Sequence, residues 1–108
     1  MTVREVNKLV RDRVPGIILE NGEMPSFKVL SDEEFLDALN DKLAEEVGEY
    51  LESKDIGELA DILQVICSIS EMIGGGQREL EYLRDEKAVE RGRFKAQIFL
   101  ESIDDLRS

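Results

Sequence analysis

The run that opens at Asp55 and closes at Gly74-Gly75-Gly76 constrains this chain more than any other. Asp55 reads as a helix cap and the three glycines as a stop. Between them Leu59, Ile62, Leu63, Val65, Ile66, Ile69 and Ile73 cover far more than half of the helix circumference. A helix apolar on nearly every side must be surrounded, so it belongs at the centre of a helical bundle. The 108 residues suffice for one domain, spanning 1–108, and for a modest core. With no Trp and 6% aromatic residues, that core must be built from Leu, Ile and Val. So small a unit around so apolar a helix needs a partner subunit to complete its core.

The flanking segments supply the rest of the bundle. Ser31-Asp32-Glu33-Glu34 matches a capping box, in which the Ser31 hydroxyl and the Glu34 carboxylate satisfy backbone donors reciprocally. The helix it opens runs to about Ser53, with Leu36, Leu39, Leu43, Val47 and Tyr50 as its buried stripe. A third long helix, 77–91, is polar with a thin Leu80, Leu83 stripe and stops at Gly92. Near the N-terminus Pro15 suits the first turn of a short helix and Gly22 its end. Phe94, Ala96, Ile98 and Leu100 alternate, which predicts a short strand pairing with 26–30. The expected class is mainly α, a bundle completed by oligomerisation, with minor short β-strands.

Charge narrows the function. A formal net charge of −11 repels the phosphate backbone of nucleic acids and anionic membrane surfaces, so neither is an expected partner. No stretch is apolar and long enough to span a bilayer, and the first residues lack the apolar core of a signal peptide. Cys67 is the single cysteine and lies within an apolar run, as a buried thiol in a reducing cytoplasm would.

Against this background the acids near the first hairpin stand out. Glu46 and Glu49 are neighbours on one helix face, Glu46 bordering the apolar stripe, while Glu45 points outward to solvent. On the next helix Glu58 shares the sector of Ile62, Val65 and Ile69, and Asp61 borders it. In an antiparallel pair turning at Ser53-Lys54, residues whose numbers share a sum lie level. Glu46 with Asp61 and Glu49 with Glu58 both sum to 107, which predicts a square of four carboxylates. Clustered anions at the edge of a low-dielectric core repel one another and are costly to desolvate. Hard divalent cations relieve that cost, and an oxygen-only set favours Mg²⁺, or Mn²⁺, over zinc. Such a Mg²⁺ site completes its shell with waters and substrate phosphates. The bland alternative is a solvated acidic face, with Glu58 a capping-box residue of Asp55-Ile56-Gly57-Glu58.

The pattern resembles that of the MazG-like nucleotide pyrophosphohydrolases, an all-α superfamily. Their E-E-x-x-E and E-x-x-D motifs match Glu45-Glu46-Val47-Gly48-Glu49 and Glu58-Leu59-Ala60-Asp61. Asn7-Lys8-Leu9-Val10-Arg11-Asp12-Arg13-Val14-Pro15 is similar to the opening of a small single-domain branch, and Lys87 with Arg91-Gly92-Arg93-Phe94 to its close. The resemblance implies Mg²⁺-dependent hydrolysis of a nucleoside triphosphate to the monophosphate and pyrophosphate, including house-cleaning of non-standard nucleotides. It implies Glu46, Glu49, Glu58 and Asp61 as metal ligands, and Glu45 as a ligand of a second metal or of water. The eight residues between Glu49 and Glu58 form a shorter gap than in many members, so no base preference carries over.

In that chemistry Glu46 or Glu49 is positioned to take the proton of the attacking water. Lys8, Arg11 and Arg13, and Lys87 with Arg91 on one face of the third helix, are candidate phosphate contacts. The expected partners are a nucleotide and further copies of the chain, as a homodimer or homotetramer. Phosphoribosyl-ATP pyrophosphohydrolase-like activity is the nearest alternative. A non-catalytic acidic helical interaction module is the other.

Overall fold

A computed structural model describes residues 2–106. Four helices follow one another among these: α1 (Val14–Glu20), α2 (Asp32–Ser53), α3 (Ile56–Ile73) and α4 (Gly76–Arg91). Each boundary has a local cause. Pro15 opens α1, and Gly22 (φ 86°) closes it, its N–H donating to Leu19 O while Glu23 N–H reaches back to Ile18 O. The capping box at α2 is complete: Glu34 N–H donates to Ser31 Oγ at 3.3 Å, and Ser31 N–H to Glu34 Oε1 at 3.2 Å. These bonds from Ser31, backbone first, hold the Glu34 carboxyl below its ordinary pKa.

The α2–α3 turn is tight. Lys54 ends α2 in the left-handed region (φ 57°), and Asp55 Oδ1 accepts the Gly57 N–H at 2.9 Å to start α3. Asp55 thus caps α3 through Gly57, and no hydrogen bond ties the Glu58 carboxylate to the cap among the described residues. Between α3 and α4, Gly75 has φ 86°, and a Cβ there would come within 2.5 Å of Glu79 Cβ. Only glycine fits that turn.

The apolar helix lies between its neighbours, α3 packing against both α2 and α4, but it is not surrounded as its pattern leads one to expect. The seam with α2 buries Leu39 and Val65. Much of the remaining apolar surface of α3 stays open, including Ile56, Leu59, Leu63 and Ile73. The accessible surface is 10201 Å², against about 6,100 Å² for a compact chain of this mass. The radius of gyration is 19.7 Å, where about 13 Å suits a compact chain of this length. None of the helices is long and apolar enough to cross a membrane.

The expected strands do not form. No strand occurs among the described residues, so the class is mainly α without the minor β component. Within 94–100 a turn interrupts the alternation, where Gln97 takes φ 56° and its N–H donates to Phe94 O. A two-stranded ribbon is marginal without a packed face, and here neither candidate has one. Phe94 and Val29 are more than nine-tenths exposed.

Candidate metal centre

The site forms where α2 and α3 leave their shared turn. The rotation of α2 that buries Leu39 in the seam also brings Glu46 into it, and Glu46 is only 6% exposed. From α3, Glu58 and Asp61 face the same place and are half-buried. One carboxylate oxygen from each of Glu46, Glu58 and Asp61 lies within 4.8 Å of the others. Glu46 and Asp61, one of the two expected pairs, are thus brought together, but the expected square of four is not formed among the described residues. Glu49 stands outside this group and is exposed. It lies one turn nearer the hairpin, rotated from Glu46 toward the rim of the seam.

Cations frame the group without filling it. Lys42 Nζ is 3.3 Å from Glu46 Oε1 and 3.7 Å from Glu45 Oε1. Arg11 Nη2 donates to Asp61 Oδ1 at 2.7 Å, and Lys8 Nζ donates to Glu45 Oε1 at 3.1 Å. The other oxygen of Glu46, Oε2, is buried and has no hydrogen-bond partner among the described residues. An orphaned buried carboxylate oxygen is expensive, and such oxygens call for a ligand. Three oxygens with no nitrogen or sulfur donor among them could hold a hard metal ion. The residues present therefore fit such an ion.

Glu45 departs from its expected outward setting. Its side chain is 30% exposed and lies between Lys8 and Lys42, because the N-terminal segment crosses α2 at this point. The Lys8 hydrogen bond, with Lys42 behind it, lowers the Glu45 pKa against a smaller opposing effect of burial. Reciprocally, Glu45 raises the Lys8 pKa first through that bond and then through its charge, with Glu49 and Glu46 adding to the field. Beside this pair a hollow of about 130 Å³ opens between Asn7, Lys8 and Leu9 and the α2 residues Asp41, Lys42 and Glu45.

Of the expected phosphate contacts, Lys8 and Arg11 are thus brought to carboxylates, while Arg13, Lys87 and Arg91 make no ion pair among the described residues. Lys42 is the member that the sequence reading passed over. Its signal was present, since it stands three and four residues before Glu45 and Glu46 on the same helix face.

Comparison with known proteins adds little. A protein of Mycolicibacterium smegmatis, described only as an uncharacterized protein, is 50% identical over 42 residues. Those residues are 39% of this chain and 43% of the relative, so the match spans less than half of either. No family model and no solved structure matches the chain.

Proposed function

We propose that this chain is a divalent-cation-dependent nucleoside triphosphate pyrophosphohydrolase of the MazG-like kind. The observation that carries the reading is Glu46, buried with one oxygen that has no hydrogen-bond partner among the described residues, in a three-carboxylate group with Glu58 and Asp61. A solvated acidic face has no reason to bury the carboxylate oxygen that Lys42 leaves unpaired, whereas a cation site does. Glu46, Glu58 and Asp61 hold the ion, Mg²⁺ or Mn²⁺. When bound, it polarises phosphoryl oxygens and makes a neighbouring water easier to deprotonate.

The protein's own groups do the rest. Glu49 is exposed at the rim, so it is the carboxylate free to accept the proton of the attacking water. That water's oxygen bonds to the α-phosphorus, the bond to the bridging oxygen breaks, and pyrophosphate leaves. Arg13, Lys87 and Arg91, which carry no carboxylate partner among the described residues, are available to the phosphates. Lys42 orients Glu46 through its Oε1, and Glu45 orders Lys8 or a second ion. The open apolar flank of α3 and the large accessible surface support assembly into a homodimer or homotetramer. The single half-buried Cys67 suits a cytoplasmic setting.

The test is a panel of canonical and damaged nucleotides, with phosphoribosyl-ATP included, assayed for pyrophosphate with and without Mg²⁺. Cation-dependent release, abolished by Glu46→Gln and by Asp61→Asn, is expected. Turnover that persists unchanged in both variants would overturn the assignment.

A further inference from the structure

The segment 2–13 contains no helix or strand, and no backbone hydrogen bond joins it to α2 or α3. It is nevertheless laid across both helices by two side chains. Lys8 reaches Glu45 on α2, and Arg11 reaches Asp61 on α3. These two contacts differ in one respect that matters. Asp61 belongs to the three-carboxylate group, whereas Glu45 does not.

We propose that Arg11 and a divalent cation compete for Asp61, so that the N-terminal segment is a latch that cation binding opens at Arg11 while Lys8 stays tethered to Glu45. This rests on the reading of Glu46, Glu58 and Asp61 as a cation site. In the cation-free protein the guanidinium neutralises the rim of the group from outside. It leaves Glu46 Oε2, which is buried, without a hydrogen-bond partner among the described residues. A small divalent ion can be shared by Glu46, Glu58 and Asp61, whereas the guanidinium reaches only Asp61, so the ion replaces an incomplete counter-charge with a fuller one. Once it is among oxygens within 4.8 Å of one another, the ion stands close to the guanidinium and repels it.

The strength of the contact permits this exchange. The Arg11 side chain is 60% exposed and that of Asp61 43%, and pairs so open to water are individually weak. Release does not send Arg11 far, since Lys8 three residues earlier remains paired. The freed guanidinium then stands at the mouth of the site with its donors unoccupied, where a bound phosphate is the natural acceptor. The segment would thus present a phosphate-binding cation only after the metal is in place.

The experiment reads binding and chain accessibility rather than turnover. Mn²⁺ is titrated into the full chain by calorimetry without nucleotide, for wild type, Arg11→Gln and Lys8→Gln. Arg11→Gln is expected to bind Mn²⁺ severalfold more tightly than wild type, and Lys8→Gln within about twofold of it. In parallel, brief trypsin digestion followed by mass spectrometry measures cleavage after Arg11 and Arg13. Mn²⁺ should accelerate these cuts at the concentration that saturates the calorimetric site, while cuts after Arg93 and Lys95 serve as an unchanged reference. Mn²⁺ binding with no gain in Arg11→Gln and no change in cleavage would overturn the latch and leave the cation site standing. Absence of Mn²⁺ binding in all three proteins would overturn the cation site and the latch together.

Discussion

Replacing Glu46 by glutamine should make the cation-free protein more stable and, at the same time, blind to the cation. Glutamine has almost the shape of glutamate and keeps an oxygen at the Oε1 position, which lies 3.3 Å from Lys42 Nζ. The second position becomes an NH₂ donor in place of the orphaned Oε2. One oxygen of Glu46 lies within 4.8 Å of oxygens of Glu58 and Asp61, so the new amide has carboxylate acceptors in its neighbourhood. An unsatisfied buried polar atom is thereby given acceptors, and one of three crowded negative charges is removed. Relief of such a group is worth about 1–3 kcal/mol. For a domain of this size each kcal/mol moves Tm by roughly 4–8 °C, so a rise of about 5–20 °C is expected in chelator. Wild type should gain in Mg²⁺, by about 2.7 kcal/mol at a hundredfold excess over Kd, and Glu46→Gln should gain nothing. Thermal unfolding followed by circular dichroism, at one fixed protein concentration with and without Mg²⁺, reads both effects. A variant that melts below wild type in chelator, or that still responds to Mg²⁺, would refute the reasoning.

Other perturbations probe separate parts of the argument. Ser31→Ala removes the acceptor of the Glu34 N–H and should cost about 1 kcal/mol in chemical denaturation. Because the Glu34 carboxyl lies lower in the folded chain than its unfolded value of ~4.3, its contribution is whole above that pH. The contribution is lost as pH falls through the folded value, so an acid titration of Glu34→Gln should show a smaller loss of stability than wild type. Leu39→Ala empties a position that is 3% exposed in the α2–α3 seam and should cost about 2–5 kcal/mol in urea unfolding. Leu63→Arg alters an α3 residue that is 58% exposed, so it should spare helicity but lower the mass measured by light scattering. An unchanged mass would count against the proposed assembly through this flank of α3.

The sequence by itself determined the helices and their ends. Caps and stops are local: Ser31 with Glu34, Asp55 with Gly57, and the glycines at 22 and 75 act within a few residues of themselves. The meeting of Glu46 with Asp61 was legible as well, because a tight turn between two regular helices leaves little freedom in their register. Alternation at 94–100 was a weaker signal, since a strand exists only through its neighbour and none is supplied. Tertiary structure alone decided how far each helix turns about its axis. That rotation buries Glu46 in the seam, strands its Oε2 and leaves Glu49 on the rim. It also decided the path of residues 2–13, whose Lys8 and Arg11 meet acids 37 and 50 positions away. No local pattern encodes such meetings, because they depend on the shape and charge of a surface that exists only once α2 and α3 have packed.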